Sequence, residues 1–262
     1  MQLDPKRPAT VAILTDFGTQ DWYVGAMKGV IKGVNPAIPI VDVTHGIPPG
    51  DVAAGSFALG QSWFCFPRGT VFLCVVDPGV GTPRAPIAVS AGNSLFVGPD
   101  NGLFSQLPSS GRSVRKLENP QFRGPGDSNT FHGRDLFAPA AAWLAAGMVF
   151  EEAGPALQGL TPLPGQVSDE PLNNPRIVYV DHFGNAITNI PKANLTFQPD
   201  PITPRFQVGT KNLPLVKTYG DLSPGEAAGL VGSTGYLELV VNQGSASSLL
   251  GLSPGSIFKV LS

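Results

Sequence analysis

The chain reads as an α/β protein in two parts: an N-terminal, mostly parallel sheet flanked by helices, then a smaller C-terminal all-β, barrel-like domain. Three observations predict this. Up to about Gly159, short continuously apolar runs alternate with stretches of helical period, the pattern of strands buried on both faces and joined by crossover helices. Around residues 154–175 the composition shifts to Pro, Gly, Gln, Asn and Asp, as in a linker. Beyond it, only short strand-like runs separated by turns recur. The expected boundaries are 1–160 for the first domain, 161–175 for the linker and 176–262 for the second.

Each element has its own local reason. Val11-Ala12-Ile13-Leu14 is an apolar strand running into Thr15-Asp16-Phe17-Gly18. A helix follows over residues 21–34, with Val24, Met27, Val30 and Ile31 on one face, and Pro36 ends it. Residues 38–43 form the next strand, bounded by Thr44-His45-Gly46. Asp51 then caps a helix running to about Phe66, closed by Pro67-Arg68-Gly69. Residues 70–76 make a third buried strand ending in Asp77-Pro78-Gly79. The pair 87–90 and 95–97 predicts a hairpin on the sheet edge. A last helix is expected over 136–146, with Pro139 in its first turn, where a missing N–H costs least. In the second part, 177–180, 206–208 and 235–241 read as strands. Leu222-Ser223-Pro224-Gly225 and Leu252-Ser253-Pro254-Gly255 read as type II turns.

Composition narrows the function. Hydrophobic residues make up 42% of the 262, enough for a sizeable core. Charged residues are 14% with net charge −2, so there is no basic footprint for nucleic acid. No apolar run approaches the roughly 18 residues of a membrane span. The opening Met1-Gln2-Leu3-Asp4 carries no secretory pattern, so a soluble, cytoplasmic protein is expected. Cys65 and Cys74, the two cysteines, exclude a disulfide framework and a structural zinc site; both thiols are expected to be buried and reduced. Phosphate-loop, Gly-x-Gly-x-x-Gly, His-Glu-x-x-His and Gly-x-Ser-x-Gly patterns do not occur.

In parallel sheets, ligands bind at the carboxyl ends of the strands. Those ends carry Asp16, the segment from Asp42 to His45, and Asp77. One such Asp is ordinarily a cap or turn former; several at one sheet edge point to a site. Asp16 suits the two hydroxyls of a ribose. His45, His132 and His182 all lie in glycine-bearing turns. In Thr130-Phe131-His132-Gly133-Arg134-Asp135 the imidazole is the functional candidate, while Arg134 and Asp135 read equally well as a structural cap.

The chain resembles the S-adenosyl-L-methionine (SAM) hydrolases that form adenosine, also called SAM hydroxide adenosyltransferases, relatives of fluorinases and chlorinases. The resemblance covers nearly the whole length. It rests on Thr15-Asp16-Phe17-Gly18, on Val76-Asp77-Pro78-Gly79-Val80-Gly81 with Arg84, and on Phe131-His132-Gly133-Arg134-Asp135. It continues in Asp181-His182-Phe183-Gly184-Asn185 with Thr188-Asn189, and in Val241-Asn242-Gln243-Gly244-Ser245-Ala246. It implies a homotrimer with the substrate held between one subunit's N-terminal domain and its neighbour's C-terminal domain, and no cofactor or metal. By the same resemblance Asp16 holds the ribose diol, and Asp77, Arg84 and His132 position the attacking water or hydroxide. Asp181 and Ser233 hold the methionyl ammonium and carboxylate. Phe183, Asn185 and the backbone near Val241 line the adenine pocket.

Departures from the halogenases favour the hydrolase. Halogenases of this family place Tyr at the position of Asp77, lack His at that of His132, add a residue inside Asp-His-Phe-Gly-Asn and carry Arg where Thr234 stands. The implied reaction is in-line displacement at C5′ of the sulfonium. The leaving group is a neutral thioether, so no general acid is needed, and exclusion of water and alignment of the nucleophile favour the step. An Asp beside Arg is a weak base, so His132 is expected to accept the proton, with Asp77 and Arg84 orienting. The rival readings are a metal-dependent phosphohydrolase, a SAM-dependent halogenase and a non-catalytic SAM or adenosine sensor.

Overall fold

The computed structural model describes residues 8–124, 126, 128–163, 172–195 and 205–261. The chain divides into two compact units, Met1–Pro164 and Gly165–Ser262. The break falls inside the expected linker, whose residues 164–171 lie outside the described residues.

The first unit contains β1 (Val11–Thr15), α1 (Tyr23–Val34), β2 (Ile40–Thr44), α2 (Val52–Ser62), β3 (Val71–Val75), β4 (Pro86–Ala91), β5 (Ser94–Pro99), β6 (Ser113–Lys116), α3 (Ala138–Ala145) and β7 (Ala156–Leu157). They build one seven-stranded sheet in the order β2-β1-β3-β5-β4-β6-β7. β2, β1, β3 and β5 run parallel, and β4, β6 and β7 complete the sheet through antiparallel pairs. β1 and β3 are wholly buried because their side chains serve two cores. On one face Val11, Ile13, Val71, Leu73 and Val75 pack against Met27 and Ile31 of α1 and the alanines of α3. On the other, Phe72 stacks on Phe96 with ring centroids 5.0 Å apart, and Trp63, at the end of α2, meets Phe96 edge-on at 6.2 Å.

Three expectations change here. The β4–β5 hairpin is interior, because β5 takes the place beside β3 and β4 is extended by β6. β2 is the edge strand and leaves Val41 and Asp42 exposed, so it is not covered on both faces. Cys74 is buried in β3, as its apolar neighbours imply, but Cys65 is exposed, because α2 gives way to a short 3-10 turn at Trp63–Cys65 that swings the thiol outward.

Among its described residues the second unit is all-β apart from one short α-helix and the 3-10 turns Lys192–Asn194 and Tyr219–Asp221. Its elements are β8 (Ile177–Val180), β9 (Ala186–Pro191), β10 (Arg205–Val208), β11 (Lys211–Pro214), β12 (Ala227–Val231), β13 (Tyr236–Val241), α4 (Ala246–Leu250) and β14 (Lys259–Leu261). They form a sheet β12-β13-β9-β8 and a sheet β11-β10-β14. The sheets are linked by single bridges, Leu215 to Gly229 and Arg176 to Ile257, and enclose a core of Ile177, Phe206, Leu237, Leu239 and Phe258. Both Pro-Gly turns close as read, with Glu226 N–H donating to the Ser223 carbonyl (3.0 Å) and Ser256 N–H to that of Ser253 (2.9 Å).

Candidate functional site

β1 pairs with β2 on one side and β3 on the other, so the sheet changes its direction of winding between β1 and β3. Such a switch point opens a crevice at the carboxyl ends of the two strands. Thr15 and Val75 are register partners there, which places Asp16 and Asp77 just beyond the paired ends, side by side. Burial pushes the Asp16 carboxyl above the ordinary range, and the negative charge of Asp77 adds to the effect.

The loop after β3 folds back on itself, with Thr82 N–H donating to the Gly79 carbonyl at 3.0 Å, and returns Arg84 to Asp77. Arg84 Nε donates to Asp77 Oδ1 at 2.8 Å and Nη2 donates to Oδ2, a two-point pair in which the side chains are only 8% and 5% exposed. Nη2 also donates to His132 Nδ1 at 2.9 Å. The guanidinium carbon lies 5.4 Å from the centre of the Phe137 ring, a cation–π contact that fixes it from below. His132 stands at the entry of the π-helical turn Gly133–Phe137 that leads into α3.

This geometry sets the state of the imidazole. A guanidinium only donates, so Nδ1 accepts and the ring proton sits on Nε2. Burial and the neighbouring Arg84 charge both hold the His132 pKa below 6.5, which keeps the ring neutral. With Nδ1 occupied and Nε2 protonated, neither nitrogen is open to accept a proton. That differs from the acceptor role expected of His132, and the cause is Arg84.

Asp16 is held by its surroundings. Gly50 N–H donates to its Oδ2 at 2.8 Å. Next to it, Thr15 Oγ1 accepts from Phe17 N–H (3.2 Å) and donates to His45 Nδ1 (2.8 Å), while Gly18 N–H donates to the His45 carbonyl (2.9 Å). Phe17 and Tyr23 meet Phe131 with ring centroids 6.1 and 5.2 Å apart, so the loop of Asp16 and the loop of His132 share one aromatic cluster. Arg134 and Asp135 form a two-point pair at 2.6 and 2.8 Å, and Asp135 also accepts from Ser128 N–H; this is the structural reading of those two residues.

In the second unit, the predicted residues fall on the Asp181–Asn185 loop, the turn at Ser233 and the end of β13. Asp181 Oδ1 accepts from the N–H groups of Phe183 (2.9 Å) and Asn185 (2.8 Å), and Oδ2 from Asn185 Nδ2 (2.9 Å). Its carboxylate therefore organises its own loop. Asn185 is buried, Phe183 projects with 74% of its surface exposed, and Val241 is buried in β13 beside a bridge to Gly244. Ser233 is exposed in the tight turn closed by Gly235 N–H on the Gly232 carbonyl at 3.0 Å. Sequence reasoning missed Glu238, which lies in β13 between Leu237 and Leu239 and is buried. Its signal was a lone carboxylate in an otherwise apolar strand. His182 is exposed and took no part in the predicted set. Among the described residues no three His, Cys, Asp or Glu side chains converge as a metal-ligand set, and no helix is long and apolar enough to cross a membrane.

Comparison with known proteins agrees with this division. Residues 11–154 match the family model described as the SAM hydroxide adenosyltransferase N-terminal domain, and residues 175–259 the corresponding C-terminal domain. The chain is 40% identical to the (R)-S-adenosyl-L-methionine hydrolase of Salinispora tropica over 257 residues, covering 95% of this chain and 97% of that protein. A fluorinase from an Actinoplanes strain is more distant, 30% identical with 88% and 90% covered. A crystal structure of an uncharacterized conserved protein from Thermotoga maritima superposes with a TM-score of 0.86 at 36% identity, covering 97% of this chain and all of that one.

Proposed function

Because the chain belongs to the SAM hydroxide adenosyltransferase family, we propose that it hydrolyses S-adenosyl-L-methionine to adenosine and L-methionine. The observation that carries this reading is the buried Asp77–Arg84–His132 group beside Asp16 at the switch point of the sheet. Oxygen of a bound water or hydroxide attacks C5′, the C5′–S bond breaks, and its electron pair leaves with sulfur as the neutral thioether of methionine. One proton is released for each water consumed.

The division of labour follows from the hydrogen bonds. Asp16 takes the ribose diol. Arg84 holds the other two groups in place, Asp77 through two hydrogen bonds and His132 through Nδ1. Asp77 accepts a hydrogen bond from the nucleophile and His132 Nε2–H donates one, so the oxygen is oriented from two sides. A preset array of this kind needs no reorganisation as the reaction proceeds. The nucleophile is anionic and the sulfonium cationic, so charge is lost on the way to the transition state and a dry site favours the step.

The reading extends to the rest of the molecule. Phe183, Asn185 and the backbone at Val241 serve the adenine, and Ser233 the methionyl carboxylate. Activity requires no metal or cofactor, and the protein works in the cytoplasm as a homotrimer that completes each site. The relatives are named for the (R) sulfonium epimer, and we extend that preference to this chain.

The test is chromatography of the products from each SAM epimer, with and without chloride and with and without a chelator. Adenosine and methionine in equal amounts under all conditions are expected. Intact SAM after long incubation would show a sensor instead, a 5′-halogenated nucleoside a halogenase, and chelator-sensitive turnover the metal-dependent rival.

A further inference from the structure

We propose that Asn101 is a positioning residue for the reaction: it holds the backbone in front of Asp77, so that this carboxylate meets Arg84 and the nucleophile in one fixed place. The inference rests on the reading that Asp77, Arg84 and His132 orient the attacking oxygen.

The need for such a residue follows from where the strands stop. β3 pairs with β1 as far as Val75 but with β5 only as far as Leu73. Val76, the next residue, is wholly buried, and a buried backbone carbonyl without a partner is costly. Asn101, just past the end of β5, fills the gap: its Nδ2 donates to the Val76 carbonyl at 2.9 Å. The amide faces Val76 with its NH2 end because its Oδ1 accepts from Leu103 N–H at 3.2 Å, inside its own turn. A side chain 25 residues away in sequence thus anchors the peptide unit that leads into Asp77.

Its neighbour holds the other end of the same loop. Asp100 N–H donates to the Ala85 carbonyl at 2.9 Å. Residues 100 and 101 therefore secure the residue after Arg84 and the residue before Asp77. The loop is closed twice, by the two-point pair between its terminal side chains and by this dipeptide on its backbone. The dipeptide is braced in turn. The Asp100 carboxylate accepts from Thr161 N–H (2.8 Å) and Thr161 Oγ1 (2.9 Å), and Ser105 Oγ accepts from Leu163 N–H (2.9 Å). At Gly102 φ is +99°, and a Cβ would fall 2.8 Å from Leu163 Cα, so only glycine lets residues 161–163 lie against the turn. A displacement of about 1 Å at a reacting group can cost about 10² in rate. The anchor on Val76 therefore acts on turnover and not on folding alone.

The experiment compares Asn101→Ser and Asn101→Ala with the parent at 25 °C, with melting followed to establish that each is folded. Serine keeps an oxygen for the Leu103 N–H but is too short to reach Val76, whereas alanine loses both bonds. Both variants should lose about ten- to hundredfold in kcat, with KM for SAM changed by less than about threefold. Parental kcat in Asn101→Ser overturns the inference, since the local turn would then be all that Asn101 serves; so does a loss confined to KM. In an Asp77→Ala background the group being placed is gone, and adding Asn101→Ser should cost less than about threefold; the full loss there also overturns it. If the parent leaves SAM intact, or Asp77→Ala turns over at the parental rate, the function proposed above fails by itself. Nitrogen-15 spectra then decide the role of Asn101 without turnover. In Asn101→Ser the Arg84 Nε–H, which donates to Asp77, should exchange with solvent about tenfold faster. The Arg134 Nε–H, paired with Asp135 at 2.6 Å, should keep its parental rate. An unchanged Arg84 signal, or an equal change in both, refutes the proposal.

Discussion

Replacing Arg84 by Met removes the centre of the buried group without much change in side-chain length. Arg84 makes two hydrogen bonds to Asp77 and one to His132, with the pair's side chains 8% and 5% exposed. The substitution leaves the Asp77 carboxylate buried and unpaired, which costs about 3–5 kcal/mol. In a chain of this size each kcal/mol moves Tm by about 2–4 °C, so a fall of about 6–20 °C is expected. The double variant Asp77→Asn/Arg84→Met has no stranded charge, because both partners are neutral. It should melt well above the sum of the two single effects. Hydrolysis behaves differently: each single variant and the double should lose about 10²–10³ in kcat, the cost of one preorganised group, with no recovery in the double. Calorimetric melting and product chromatography on the four proteins give both readouts. Strictly additive Tm losses, or an Arg84→Met protein that melts with the parent, would refute the coupling between Asp77 and Arg84.

Other outcomes follow from the same geometry. Because burial and Arg84 hold the His132 pKa below 6.5, activity that needs the neutral ring should survive to more acidic pH than an ordinary histidine allows. The sign for stability is the same: unfolded His132 binds a proton more readily than the folded ring, so this contribution is present above pH 6.5 and lost as pH falls through the lower folded value. A pH–rate profile whose acid limb is centred above 6.5 contradicts this, and His132→Gln should lose the limb together with most of kcat. Asp16→Asn should raise KM by roughly ten- to hundredfold for SAM. It should matter little for a 2′-deoxyribose analogue, and an equal penalty on both compounds would remove Asp16 from the diol. A maleimide should label Cys65, which is exposed, and spare Cys74, whose thiol is buried and pushed far up in pKa; mass spectrometry after digestion separates the two.

The N-terminal sheet was readable at its centre, where β1 and β3 are buried on both faces and appear as the continuous apolar runs Val11–Thr15 and Val71–Val75. Its strand order was less readable. The hairpin of Pro86–Ala91 and Ser94–Pro99 carries nothing in its own sequence to say that Ser113–Lys116 will cover its outer edge, since that pairing is non-local and Ser113-Val114-Arg115-Lys116 is largely polar. β9 was hidden for a related reason. Thr188 and Asn189 are polar, yet both are fully buried, and Asn189 serves the backbone of Arg176 and Asn174 across the sheet. At the site, residue types at strand ends and in a glycine-bearing turn were enough to name Asp16, Asp77 and His132, whereas Arg84 came from the family resemblance alone. They could not show which nitrogen of His132 Arg84 would occupy, and that one hydrogen bond changes the role of the ring. Nor could they show that Asp181 would accept three hydrogen bonds from its own loop.

The choice between water and halide also reduces to hydrogen-bond capacity. Arg84 carries one positive charge and Asp77 one negative, and His132 is neutral, so the group as a whole offers an incoming anion no net attraction. A water or hydroxide can donate to the Asp77 oxygens while accepting from His132. A halide can only accept, and meets the carboxylate as a like charge. The halogenases of the family avoid that conflict with Tyr at the position of Asp77, whose hydroxyl can donate. Raising chloride or fluoride should therefore leave adenosine as the only nucleoside product of the parent. Asp77→Asn keeps the shape, removes the charge and adds an N–H donor, so it is the variant in which a trace of 5′-halogenated nucleoside should first be detected. A halogenated product from the parent at moderate salt would mean that Arg84 acts on the nucleophile without being neutralised by Asp77. The pairing argued above would then not hold during turnover.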